Sequence, residues 1–137
     1  MKYLKISTLA KGLHDKDELL LHAVFQILVD FVEEEEPETV VDWNADRRYR
    51  VAWKEIKELY TWWKKVRPKR RSPLDNKKLA IPPLEMTHSE FNRAANRKKY
   101  GAYYRALRKL NHMEIKWHRE DQRNLHRLIN VRDFLWT

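Results

Sequence analysis

The sequence predicts an all-α fold, a compact single-domain bundle of about four helices with one long, basic, proline-containing loop. Three observations carry that expectation. Apolar residues recur at steps of three and four along most of the chain, which is the period of an amphipathic helix. Only 2 of the 137 residues are Gly and 5 are Pro, too few for the many turns of a β-sandwich or barrel. Hydrophobic residues make up 42% and charged residues 36%, a globular balance with a heavily charged surface in a length that suits one domain over 1–137.

The first helix is read over Asp15 to Glu36. Leu20, Val24, Ile27, Leu28 and Phe31 form its apolar stripe, widened by Leu21, Phe25 and Val32. Asp15 or Asp17 can cap its start, and Pro37 stops it. Glu18, His22, Gln26 and Asp30 follow one another at i, i+4, i+8 and i+12, a single polar line on an otherwise apolar rod. Such a helix belongs at the centre of a bundle. Glutamates 33–36 stand at its C-terminal end, where the helix dipole disfavours negative charge. The placement calls for a cation there, from a neighbouring basic segment, a metal ion or another subunit.

Thr39 to Trp43 reads as a short extended connector. Asn44 or Asp46 then opens a second helix to about Val66, with Tyr49, Ala52, Trp53, Ile56, Leu59, Tyr60 and Trp63 on its apolar stripe. Pro68 ends it. Residues 67–86 hold four of the five prolines and read as an exposed basic loop. Thr87-His88-Ser89-Glu90 has the form of a capping box, so a helix follows it. Gly101 decides whether this third helix and the fourth are separate or continuous. The stripe then runs through Tyr103, Leu107, Leu110, Met113, Trp117, Leu125 and Leu128, and Phe134, Leu135 and Trp136 are expected to pack back onto the domain. No internal repeat or second domain is evident.

Function classes narrow by what is missing. Cysteine is absent, which removes disulfides, thiolate metal sites and cysteine nucleophiles together. No apolar run approaches a membrane span, and MKYLKISTLAKGLHDKDE lacks a signal-peptide core, so no membrane partner is expected. There is no Gly-rich phosphate loop, no H-E-x-x-H and no Ser-His-Asp arrangement readable from spacing.

Charge is distributed unevenly within the net +9. Residues 1–45 carry 4 Lys and Arg against 10 Asp and Glu, whereas residues 46–78 carry 13 against 4 and residues 79–111 carry 7 against 2. A basic middle beside an acidic N-terminal third suits a polyanionic partner, or two ends that pair electrostatically. The cations include Arg47, Arg48, Arg50, Lys64 and Lys65, then Arg67, Lys69, Arg70 and Arg71 on the loop. Arg93, Arg97, Lys98, Lys99, Arg105, Arg108 and Lys109 continue the series. Lys and Arg neutralise phosphates and release counterions, and Trp62, Tyr100 and Tyr104 are candidates to stack on unpaired bases. The competing reading is a solvated basic surface, or one that covers the acidic end of the first helix.

Carboxylates and histidines form a second constellation. Glu18, His22 and Asp30 line one helix and Glu114, His118 and Asp121 another, and hard divalent ions take oxygen ligands from several helices. Glu33, Glu34, Glu55 and Glu58 add a set that resembles the all-α NTP pyrophosphohydrolases, whose E-E-x-x-E and E-x-x-D segments hold Mg²⁺. The chain departs from both motifs, since Pro37 follows Glu36 and Glu58 stands in the aspartate position. Helix-surface carboxylates paired with Arg and Lys explain the same letters.

LHDKDELLLHAVFQILVDFVEEE (13–35), LYTWWKKVRP (59–68) and DQRNLHRLINVRDFLWT (121–137) resemble, in the same order, a family of small uncharacterised bacteriophage-encoded proteins. The resemblance implies action in the cytoplasm of an infected bacterium or in the virion, and it brings no activity or catalytic residues with it.

The expected function is that of a non-enzymatic protein binding DNA or RNA through its basic-aromatic middle, without a cofactor. Arg67, Lys69, Arg70, Arg71, Arg97, Lys98 and Lys99 would meet phosphates, with Tyr100 stacking. An acidic protein surface is the other partner such a middle would fit, and a homo-oligomer is compatible with it. One alternative is a Mg²⁺-dependent pyrophosphohydrolase-like enzyme with ligands among Glu33, Glu34, Glu55 and Glu58. Another is a virion structural or host-directed interaction protein.

Overall fold

The computed structural model describes residues 3–136. Among them the structure is all-α, without a strand. Five α-helices follow one another: α1 (Lys16–Glu34), α2 (Pro37–Val40), α3 (Arg47–Thr61), α4 (His88–Phe91) and α5 (Ala94–Asn130). The chain divides into two compact units, one formed by the residues up to Lys69 together with those from Asp121 onward, the other by Arg70–Glu120.

In the first unit, α1, α3 and the C-terminal end of α5 enclose one core. Phe25, Leu28, Ile56 and Leu59 are fully buried there, with Leu128 and Val131 beside them. Asp46 caps α3 by accepting from the Tyr49 amide at 3.1 Å, as Asp and Asn do at helix starts. Beyond Thr61 the helix widens into a π turn over Trp62–Val66. Widening advances the backbone less than 100° per residue, so two consecutive indoles enter the core side by side. Trp63 stacks on Phe25 at 4.5 Å between ring centroids, and Trp62 leans on the same ring at 5.4 Å.

Residues 39–43 differ from the extended connector the sequence suggests. Pro37 starts a one-turn helix, α2, that reaches Val40, and Val41 after it is extended. Trp43 is buried because its indole N–H donates to the Pro37 carbonyl at 2.9 Å while its ring stacks on Trp53 at 4.8 Å. Glu36 makes the reversal from α1 into α2 with φ +48°, the left-handed region that a side chain disfavours.

The middle of the polar line of α1 faces inward, while Glu18 at its start is exposed. His22 and Gln26 are buried, whereas Leu20 and Ile27 are 58% and 48% exposed. The cause is the N-terminal segment, which lies along this line. Ser7 donates from its amide and its hydroxyl to Gln26 Oε1 at 3.1 and 2.9 Å, and Thr8 Oγ1 sits 2.6 Å from His22 Nδ1. Gln26 in turn donates to Asp30 Oδ1 at 2.8 Å, so the buried amide is satisfied at both ends.

In the second unit, residues 70–87 are irregular apart from a turn of 3₁₀ helix at Pro73–Asp75. The capping box at Thr87 forms as its spacing predicts, with Glu90 N to Thr87 Oγ1 at 3.2 Å and Thr87 N to Glu90 Oε2 at 2.9 Å. It starts only one turn, α4, before the chain bends and α5 begins. Gly101 does not break α5, which runs 37 residues without interruption. At 1.5 Å per residue that is about 55 Å. The third and fourth helices of the sequence reading are therefore one.

Candidate nucleic-acid interface

Two of the loop cations, Arg67 and Arg70, turn to carboxylates. In the first unit Arg67 forms a two-pronged pair with Asp121, Nε to Oδ1 at 3.0 Å and Nη2 to Oδ2 at 3.1 Å, and its guanidinium covers the Trp63 ring at 4.9 Å. In the second unit Arg70 donates to Glu120 Oε1 at 2.9 Å and lies over the Trp117 ring. Arg71 Nη1 donates to the Arg70 carbonyl at 2.9 Å. Arg67 and Arg70 are thus engaged by carboxylates of the protein itself, Asp121 and Glu120. Sequence separations of 54 and 50 residues hid both partners. Lys69 is exposed in the 3₁₀ turn Arg67–Lys69.

The aromatic candidates are also engaged. Trp62 and Tyr100 are buried, at 9% and 8% exposure. Tyr104 meets Phe91 edge to face at 4.4 Å. Lys99 is exposed and its ammonium lies 5.2 Å from the centre of the Tyr100 ring. Stacking on bases, expected of these rings, has no exposed ring face at Trp62 or Tyr100.

What remains is a basic face of α5. At about 100° per residue, Arg97, Lys98, Arg105, Arg108, Lys109, Lys116 and Arg119 all project within about 60° of the direction of His112. Every one of them is exposed. Glu114 projects about 160° away and Glu120 about 80° away, so no carboxylate interrupts the stripe over Arg97–Arg119. Arg97 donates to Asn92 Oδ1 at 3.2 Å; among the described residues no carboxylate pairs with the stripe's cations. The opposite face carries the apolar residues Tyr103, Leu107, Leu110 and Trp117, all half-buried. Burial of that face is what holds the cations outward.

Arg97, Lys98, Arg105, Arg108 and Lys109 belong to the basic middle of the sequence reading, whereas Lys116 and Arg119 do not. The signal was present. Arg-Lys at 97–98 recurs at 108–109, and Arg119 follows at the same 11-residue interval. Eleven residues are about three turns of helix, so such positions stay within about 20° of one another.

The carboxylates of the metal reading have other partners. Glu33 accepts from the Tyr60 hydroxyl at 2.7 Å and lies 3.0 Å from Lys64 Nζ. Those two donors, in that order, hold its carboxyl below the usual range, and Glu33 raises the Tyr60 hydroxyl in return. A neighbouring basic segment is therefore what meets the acidic end of α1. Glu55 takes Arg127 Nε and Nη2 at 2.7 and 2.8 Å, and Glu58 takes Nη2 at 2.8 Å. Hydrogen bonding to Arg127 lowers Glu55 correspondingly. Among the described residues no three His, Asp or Glu side chains converge where a metal ion could be held. A groove of about 700 Å³ lined by Arg47, Tyr49, Arg127, Phe134 and Trp136 has its Arg127 already neutralised by these glutamates.

No described helix is long and apolar enough to cross a membrane. No protein-family model, curated protein or solved structure matches the chain.

Proposed function

We propose that the protein binds nucleic acid through the basic stripe of α5 and performs no chemistry on it. The observation that supports this reading is the stripe itself, seven Lys and Arg side chains exposed on one face of a continuous helix with no carboxylate among them. An uncompensated row of cations repels itself, and a row of phosphates relieves that repulsion while releasing its own counterions. A merely solvated helix surface interleaves both signs, as α3 does with Lys54 and Glu58. The resemblance of residues 13–35, 59–68 and 121–137 to bacteriophage-encoded proteins supports the infected bacterium, or the virion, as the setting.

Fluorescence anisotropy with a labelled oligonucleotide, titrated at several salt concentrations, tests the reading. Binding that weakens steeply with salt is the expected result, and Arg108→Ala with Lys109→Ala should lower the slope of log K against log salt by about two. Absence of binding at low salt, or a slope unchanged in that variant, would overturn it.

A further inference from the structure

We infer that the nucleic acid recognised by this stripe is duplex DNA of the B form, with α5 seated in its major groove. The inference rests on the function proposed above and adds which polymer fits.

The stripe has two margins and a middle. Arg97, Arg108 and Arg119 follow one margin at 11-residue steps, about 16 Å apart, and Lys98, Lys109 and Lys116 follow the other, about 60–120° around the helix. Arg105 and His112 lie between them. Two parallel rows of cations on one rod match two parallel rows of phosphate, which is what the walls of a duplex groove present. A single strand presents one row.

Rings give the second reason. Proteins that hold single strands combine a basic track with aromatic faces on which bases stack. Between Arg97 and Arg119 every Tyr and Trp side chain projects about 80° or more from the stripe's centre, where the one ring is the small imidazole of His112. Tyr100 is buried, Tyr104 meets Phe91, and Trp117 carries the Arg70 guanidinium. The face that meets the ligand carries no Phe, Tyr or Trp on which to stack a base.

Groove width separates DNA from RNA. A helix with side chains is about 10–12 Å across, and the B-form major groove, about 12 Å wide, admits it. The deep, narrow major groove of A-form RNA does not. The stripe is about 33 Å long from Arg97 to Arg119, and a straight rod cannot follow a groove for that distance. Its middle therefore enters, bringing Arg105 and His112 to base edges, while the ends cross the phosphate backbones. Gly101, about 20° from the stripe's centre, adds no side chain of its own to the entering face.

The test is a competition on the full chain. A labelled 20-base-pair duplex DNA is displaced by unlabelled duplex DNA, duplex RNA or single-stranded DNA at equal phosphate concentration and fixed salt. Duplex DNA should compete at least tenfold better than the other two, and bound duplex should be protected from methylation at guanine N7, an atom of the major groove. Arg105→Ala should weaken binding about tenfold and lose that protection while the helical circular dichroism stays unchanged. Equal competition by the three polymers, or tight binding that leaves N7 fully reactive, would overturn the B-form assignment and leave nucleic-acid binding standing. Failure of the labelled duplex and of both other polymers to bind would overturn the function itself.

Discussion

His22 is held neutral by its surroundings. Burial opposes the charged imidazolium, the Arg67 guanidinium adds to the effect, and the carboxylates Glu18 and Asp121 pull the other way without reversing it. The folded-state pKa lies below the unfolded value of about 6.5, so the unfolded chain binds the extra proton first as pH falls. The stability His22 contributes is complete above that unfolded value and is lost as pH drops through the folded one. Urea midpoints should fall between pH 7 and pH 5, and His22→Gln should flatten that segment of the profile. Glu33 and Glu55 act in a lower window: both are depressed, so their contribution is present above an unfolded value of about 4.3 and goes as pH falls through their folded ones. Arg127→Ala removes the partner of Glu55 and leaves that half-buried carboxylate without its donors. A loss of about 1–3 kcal/mol is expected in denaturant melts. At Glu36 the sign reverses. Glycine relieves the left-handed backbone, worth about 1–2 kcal/mol, and removes a negative charge from the end of α1. It loses about 0.5–1 kcal/mol to greater unfolded-state freedom. Glu36→Gly should therefore raise the melting temperature, and a lower one would show that its side chain does more than turn the chain.

At the scale of elements, what the sequence made legible depended on whether the deciding contact was local. The Asp46 cap and the Thr87–Glu90 capping box are set within three residues, and both form where their spacing put them. The inward turn of the α1 polar line is not local. It depends on Ser7 and Thr8, which are 19 and 14 residues from their partners and belong to a segment with no periodicity to announce it. Gly101 lies between these cases. A glycine costs a helix about 1 kcal/mol, which packing over the apolar face of a helix this long easily offsets, and no local rule states that balance. A Cβ at Gly101 would meet only Arg105 Nη1, at 3.2 Å, the mobile end of a long side chain. Gly101→Ala should thus stabilise by about 0.5–1 kcal/mol, readable as a higher melting temperature. The basic face of α5 was legible in principle, because its 11-residue interval is a property of the sequence. Following the apolar stripe alone conceals it, since the two faces share one helix.

For the whole molecule, the net +9 is less informative than its division between paired and unpaired cations. Lys64 faces Glu33, Arg67 faces Asp121, Arg70 faces Glu120 and Arg127 faces Glu55 and Glu58. These pairs neutralise Arg67 and Arg70 of the loop, whereas the seven cations of the α5 stripe between Arg97 and Arg119 have no carboxylate partner among the described residues. Partly buried pairs of this kind hold the fold, because removing one partner leaves the other desolvated; exposed cations on a helix face contribute little to it. Two sets of substitutions should therefore separate. Arg67→Ala and Arg70→Ala, taken singly, should lower the melting temperature while leaving the salt slope of nucleic-acid binding within experimental error of the parent. Arg108→Ala with Lys109→Ala should lower the slope and leave the melting temperature where it was, since alanine is the better helix former at exposed positions. Were Arg70→Ala to lower the slope as much as the α5 variant, the loop would be a phosphate contact after all. The pairing with Glu120 would then be a resting state that the ligand displaces.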